Sequence, residues 1–491
     1  MSIVAHHDAA RRSGVTVAVT AVAFFMVTLD ALVVVTALPS IHRELGGSIG
    51  TLQWTVNAYS MAFAAGIITA AALGDRLGRR RVYVGGLALF TLASAACALA
   101  PDTSTLIAFR VVQGAGAAII VPLGLTLLTS AFAPNKRGTV VGIWGGVAGL
   151  GVAAGPLIGG GVTQALSWHW VFWVNVPIGI VAAVAARLQL VGDAGSRARL
   201  DLPALVLVAG GVATLVWGLV QAPAAGWSAT RVVVALTVGI GLLLAFVWWE
   251  TVAPEPMVPL ALFRRAAFAG AVSTQFLTAA AIYSAAFITS EYFQFGRGLS
   301  PLSTGFRFLP WTAMPLLIAP AAGALFDRIG ARRLAVPGLL LQAVGLAWIV
   351  HLADTAAGYG AYVTPFILAG IGISMALPCV SASALNAAPP EALGKAAGVL
   401  NTMQLFGATF GVAIAAVVFN ANGALAPASA VASGFRPALA AAAGFSAVAA
   451  VVALTLRRRP AAQETEARAP RPVATEFETA LALELASSHD T

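Results

Sequence analysis

The chain has 491 residues, of which 59% are hydrophobic and only 10% charged, with a formal net charge of +9 and a mean hydropathy of +0.88. A soluble globular domain carries about a quarter charged residues, so this composition excludes one. The positive charge does not imply nucleic acid either, because the arginines are scattered over many short segments rather than gathered on one face.

Apolar runs of about 20 residues recur along the chain, the length an α-helix needs to cross a bilayer. The alternating segments of about 10 residues that mark a membrane barrel are absent. The expected fold is an all-α polytopic membrane protein with fourteen spans. The first six are predicted near 15–38, 50–72, 82–100, 104–128, 138–161 and 169–190. Two more are predicted near 202–222 and 231–249, and six near 268–293, 302–324, 334–352, 361–384, 395–419 and 435–456. The opening stretch MSIVAHHDAARRS before an apolar run resembles a signal peptide. That run is long, contains Asp30 and lacks a small-residue cleavage site, so it is read as an uncleaved first span. Cys97 and Cys379 both fall in apolar stretches and suggest neither a disulfide framework nor a metal site.

With the N-terminus in the cytoplasm, 22 of the 28 Lys and Arg residues fall inside. Four fall outside (Arg43, Arg231, Arg297 and Arg436) and two within spans (Arg110 and Arg307). This bias places both termini in the cytoplasm. The expected division is a cytoplasmic N-terminus (1–14), a six-helix bundle (15–190), two extra helices with flanking loops (191–267), a second six-helix bundle (268–456) and a disordered cytoplasmic tail (457–491). The extra pair is expected to be a lipid-facing spacer.

The bundles repeat one another. LGDRLGRRR (Leu73–Arg81) is predicted to be a charged loop between the second and third spans, and LFDRIGARR (Leu325–Arg333) is its near copy. Asp75 and Asp327, Arg76 and Arg328, Gly78 and Gly330, and Arg80 and Arg332 each align at a separation of 252. Further on, Gly114, Gly116 and Pro122 align with Gly370, Gly372 and Pro378 at 256, as do Gly138, Gly142, Gly151 and Gly155 with Gly394, Gly398, Gly407 and Gly411. Two parallel halves around a midplane site is a transporter plan.

Uphill transport needs an energy source. The chain has no GxxxxGK[ST] loop and no soluble domain to house one, so no nucleotide or other cofactor is expected, and an ion gradient remains. No Ser/His/Asp or metal-spaced cluster suggests an enzyme. Asp30 and Glu291 are the acids placed inside spans, and an ionisable group in the membrane is a functional hypothesis by default. Asp30 carries a proton, or else forms a static pair with Arg110. Glu291 carries one, or else sits among outer headgroups. Arg110, with Gln113 one turn further in, either needs a buried acidic partner or snorkels outward. The fifth span carries Gly142, Gly146, Gly149, Gly151, Gly155, Gly159 and Gly160, a face that lets another helix approach closely, and Gly155-Pro156 adds a kink point. The second half has Val412 where Pro156 would stand, so the Gly-Pro pair is peculiar to the first half.

The charged loop, RVVQGAGAA from Arg110, the Gly-Pro span and LDALVVVTALPSI from Leu29 together resemble the major facilitator superfamily. More closely, the chain is similar to its fourteen-span drug:proton antiporters over nearly all of 15–456. QWTVNAYSMAFAA (Gln53–Ala65) and YFQFGRGLSPLSTGFRFLP (Tyr292–Pro310) share in the likeness. The resemblance implies a cytoplasmic gate of Asp75, Arg76, Gly78, Arg79 and Arg80 with Asp327 and Arg328. It implies proton coupling at Arg110, a proton or cation site at Asp30, and an antiporter hinge at Gly151, Gly155 and Pro156; Glu291, as an acid inside a span, is the other expected proton-coupling residue. Gln113, Trp54, Tyr59 and Gln294 are expected at a substrate cavity. Ala71 and Val35 stand where the family pattern has Gly and Asn, and Ala331 of the second charged stretch stands where the first has Arg79. The implied function is proton-driven export of small hydrophobic or cationic compounds, such as antibiotics, by a monomer in a bacterial cell membrane. Export of a single metabolite by the same machinery, and a non-transporting sensor or scaffold, are the other readings.

Overall fold

The computed structural model describes residues 2–46, 49–192, 195, 201–254, 256, 258, 260–353, 357–389, 392–424 and 427–456. The tail expected to be disordered, 457–491, lies outside the described residues. Every long element is a helix, and among the described residues there is no strand. This is what lipid requires, since a helix satisfies its own backbone polar groups.

The first half comprises α1 (Ser2–Leu45), α2 (Ile49–Leu77), α3 (Arg79–Ala98), α4 (Thr103–Ser130), α5 (Arg137–Ala165), α6 (His169–Trp173) and α7 (Asn175–Gln189). Then come α8 (Leu202–Ala225) and α9 (Thr230–Val252). The second half comprises α10 (Ala266–Glu291), α11 (Pro301–Thr312), α12 (Met314–Ile329), α13 (Arg332–Leu352), α14 (Gly360–Ala387), α15 (Leu393–Asn422) and α16 (Ala428–Val452). Among the described residues, 13 helical stretches are long and apolar enough to cross a membrane. The 29-residue α5 is a fourteenth rod of the same length.

Two predicted spans are each broken into two helices. Pro177 stands four residues after Trp173, where α6 ends, and Pro315 stands four after Trp311, beside the break at Ala313. A proline ring removes one helical hydrogen bond and crowds the carbonyl four residues back, which accounts for both breaks. α1, with 44 residues, overshoots the predicted first span at both ends.

The charged stretches are a larger correction. The loop predicted over 73–81 is helix on both sides of one residue, Gly78, at φ +94°. Its copy breaks only at Gly330, φ +86°, and Ala331. Leucine and arginine are good helix formers, and only glycine enters the left-handed region cheaply, so the turn shrinks to the glycine. The charged side chains thereby acquire fixed directions.

The halves meet near these two glycines. On α5, Gly138, Gly142, Gly146 and Gly149 face α12, where side chains at Gly142 and Gly146 would run into the backbone carbonyls of Ala319 and Pro315. Gly151 and Gly155 on the same helix turn instead to α1, against Phe25, Thr28 and Leu32. α15 repeats both relations: Gly394 and Gly398 meet α2, and Gly407 and Gly411 meet α10. The extra pair is more than a spacer. α9 exposes Val233, Val234, Val238, Leu244 and Trp248, but α8 packs on α2 of the first half and also on α15 of the second.

Candidate functional site

In the first half, six helices converge on one buried polar cluster. Asp30 of α1 is 1% exposed, and Arg110 and Gln113 of α4 are 0% exposed. The Arg110 Nη1 donates to Asp30 Oδ2 at 2.6 Å and to Gln113 Oε1 at 2.8 Å, and its Nε donates to the Thr55 carbonyl of α2 at 3.0 Å. Gln113 Nε2 and Asn175 Nδ2 both donate to Asp30 Oδ1, at 2.9 and 2.8 Å. Asn175 also donates to Ser94 Oγ of α3 at 3.1 Å, and Ser94 donates to the Phe172 carbonyl of α6 at 2.9 Å. The Arg110 guanidinium lies 4.1 Å from the centroid of the Tyr59 ring.

A carboxylate this deep is stable only when its charge is matched and its lone pairs are filled. One guanidinium and two amides do that here. The cluster is also incompletely satisfied: Arg110 Nη2, the Tyr59 hydroxyl and the Asn175 Oδ1 have no hydrogen-bond partner.

Asn175 and Ser94 join the cluster without having been expected from the sequence, where neither carries a charge. The signal was present as a lone Asn in the apolar run VFWVNVPIG. Asn175 supplies an amide to Asp30 from another helix, whereas the family pattern places an Asn at the position held here by Val35. The residues expected to couple protons are not all together. Glu291 is the last residue of α10, in the other half, and none of the hydrogen-bond partners of Asp30 comes from that half. Gln294 donates to Ser290 at 2.8 Å in the π-turn Tyr292–Gly296, beside Glu291 and away from the cluster. Trp54 is half-buried one residue before Thr55. Tyr59 and Gln113 are buried within the cluster. Asp30 and Glu291 are also not the only acids within long helices: Glu250, one residue past the predicted eighth span, is 5% exposed in the last turn of α9 and accepts from Val258 N at 3.0 Å.

The gate residues gather where the halves meet. Asp327 accepts from Gly138 N at 3.0 Å, Thr139 N at 2.9 Å and Thr139 Oγ1 at 2.8 Å, so it caps the first turn of α5 across the seam. Asp75 lies at the start of α15, where a Cβ on Gly394 would come within 2.6 Å of its carboxylate. A carboxylate is favoured at a helix N-terminus, where unpaired N–H groups and the helix dipole point. Arg79 holds Asp75 from within its own half, with Nε and Nη2 both at 3.0 Å. Arg80 reaches the Leu190 carbonyl at 3.1 Å. Arg137 adds a third link across the seam, to Asn386 at 3.1 Å. Arg76 is half-buried and Arg328 exposed. The expected hinge residues Gly151 and Gly155 lie on the α1 side of α5, while the side chain of Pro156 is outside the described residues.

The profile of the Major Facilitator Superfamily matches residues 20–412 and 272–487. The chain belongs to the major facilitator superfamily. This major facilitator is 35% identical over 400 residues to a tetracenomycin C resistance and export protein of Streptomyces glaucescens, covering 81% of this chain and 74% of that one. It is 36% identical over 412 residues to the cephamycin export protein CmcT of Amycolatopsis lactamdurans, covering 83% and 85%. It is also 34% identical over 467 residues to a puromycin resistance protein of Streptomyces alboniger, covering 91% and 92%. A human organic anion transporter shares its fold with a TM-score of 0.62 at 16% identity, over 90% of this chain and 99% of that one. A proton:xylose symporter does so with a TM-score of 0.63 at 14% identity, over 90% and 95%.

Proposed function

We propose that this major facilitator is a proton-coupled efflux transporter that exports small hydrophobic compounds, antibiotics among them, from a bacterial cell. The sealed pair of Asp30 and Arg110, with its two amide donors, carries the reading. A buried ion pair costs desolvation that an apolar core would avoid, and a packing role gives no reason to retain it. The resistance and export roles of the relatives support the direction and the class of cargo. The termini and the seam of Asp75 and Asp327 lie on the cytoplasmic face, as the distribution of Lys and Arg favours.

In this reading the closed seam is the cytoplasmic side of a carrier that faces outward. Protonation of Asp30 from outside releases Arg110, which turns its spare Nη2 toward other acceptors. Asp75 and Asp327 leave the helix starts of α15 and α5 as the halves rock, and the proton is lost to the cytoplasm. The purified full chain in liposomes with an internal pH dye tests this. Adding an exported compound should move protons in the wild type, and Asp30→Asn should bind the compound but move none. Proton movement by a folded Asp30→Asn protein would overturn the assignment. Asp30→Glu, which keeps the charge, guards against reading a folding defect as a coupling defect.

A further inference from the structure

The extra pair α8 and α9 is built as one tight hairpin. Side chains at Gly211 and Gly218 of α8 would run into Leu243 and Leu236 of α9, and one at Gly239 would meet the backbone of Leu215. Contact this close needs small residues on the facing surfaces. At the end nearest the charged stretches, Asp201 caps α8 through Ala204 N at 3.0 Å and accepts from Trp249 Nε1 of α9 at 2.7 Å. Another face of α8 carries Ala204, Val208, Val212 and Val216, spaced by four and each no more than 2% exposed. α8 packs on α2 of the first half and on α15 of the second. Those two helices themselves meet across the seam, where a Cβ on Gly398 would come within 3.0 Å of the Ala71 Cβ.

The segments that lead into and out of the hairpin grip different halves. Before α8, the Leu190 carbonyl accepts from Arg80 Nη1 at 3.1 Å, and a Cβ on Gly192 would come within 3.0 Å of the Arg80 guanidinium. Gly195, at φ +70°, lays its backbone against the Arg76 carbonyl, in a conformation and a space that only glycine fits. All three contacts are to the charged stretch of the first half. After α9, the Pro256 carbonyl accepts from Lys395 Nζ of α15 at 2.7 Å, and Arg265 Nη1 donates to the Ala387 carbonyl at the end of α14 at 2.7 Å. Both bonds reach the second half. Val258 and Leu262, between them, are each 4% exposed, and Val258 N is held by Glu250 of α9 at 3.0 Å.

We propose that residues 190–265 form a strap across the seam, fastened to the first half at Arg76 and Arg80 and to the second at Ala387 and Lys395, that holds the halves closed at the end of the charged stretches. The proposal rests on the rocking of the halves in the reading above and adds a brake to it. Opening that end has to pull α8 from α2 or from α15, or else undo one of the two grips. In lipid the separated helices regain no hydrophobic term, so the cost lies in lost packing and in charged donors parted from backbone carbonyls. Neither six-helix half contains the strap, and the contacts of Asp75 and Asp327 do not need it. It therefore shifts the balance between closed and open carriers without forming part of either half.

The test uses purified full-length protein in lipid nanodiscs, with spin labels on cysteines introduced at Asn135 and Arg333, which are exposed at that end on opposite halves. Double electron–electron resonance then reads the ratio of long to short distances. Lys395→Met removes one grip and should raise that ratio roughly three- to tenfold, the equivalent of one hydrogen bond, while Lys395→Arg, which keeps a donor, should stay near the wild type. Lys395 follows Gly394, which adjoins Asp75, so its charge could act on the gate directly. Leu262→Ala loosens the same segment without touching a charge and should raise the ratio in the same direction. Arg265→Met, bound at Ala387 and leaving Leu262 in place, keeps the test decisive if Leu262→Ala fails to fold. An unchanged ratio in Leu262→Ala and Arg265→Met would overturn the strap and leave the export reading intact, whatever Lys395→Met does. A wild type that keeps one distance at every pH and with every exported compound would overturn the rocking itself, and the strap with it.

Discussion

The two halves place opposite solutions at the same point of the repeat. Arg110 of α4 corresponds, at the separation of 256, to Phe366 of α14, and both are 0% exposed. In the first half the position anchors the network of Asp30, Gln113 and Asn175. In the second, Phe366 meets Trp311 at 6.1 Å and 12°, and Phe293 at 6.1 Å and 75°. Tyr362, 0% exposed, completes that cluster one turn away. The fold therefore tolerates aromatic packing where the first half keeps a charge. That contrast is what the proposed coupling role of the pair rests on.

The sharpest way to break the comparison is to remove half of the ion pair. Arg110→Leu leaves Asp30 buried without a countercharge, and should cost about 3–5 kcal/mol together with all export. Thermal unfolding in detergent and liposome export measure the two effects. Replacing both partners, as Asp30→Leu with Arg110→Phe, should recover most of the lost stability because it imitates the second half, yet export should remain absent. Full export by that double variant would show the pair to be packing alone. Phe366→Ala should cost about 3 kcal/mol through the cavity it leaves, and should leave the number of protons moved per cargo molecule unchanged. The pH dye reads this directly.

The seam offers smaller effects. Asp327→Ala removes the cap on α5 and should cost about 1 kcal/mol. It should also raise the fraction of protein open at that end, read as faster labelling of a cysteine introduced at Ala319. Asn175→Ala is the mildest change, expected at about 1 kcal/mol, since it removes one of two amide donors to Asp30. Its signature is a displaced pH profile of export, and an unchanged profile would reduce Asn175 to packing.

Much of this was legible in sequence. Hydropathy located the helices, because twenty apolar residues in a row have no other stable arrangement in lipid. The matched glycines and the twin Asp-Arg stretches revealed the repeat. Asp30 and Arg110 stood out because charge within a span is rare. Other features were hidden for physical reasons. Asn175 reads as any polar residue until its amide is seen on Asp30. The predicted charged loops became helix ends because one glycine suffices for the turn. Gln275 and Gln404 are 129 residues apart in the chain and meet only in the folded second half.

The sequence by itself determined that the chain is a helical membrane protein of two repeated halves with a carboxylate and an arginine inside the first, because composition and periodicity act locally along the chain. Only the tertiary structure decided which amides and hydroxyls gather around Asp30 and Arg110, and that each Asp of the repeated stretch meets a helix start in the opposite half. Those are matters of distance between helices, and hydrogen bonds and ion pairs are set by a few ångströms that no spacing in sequence encodes.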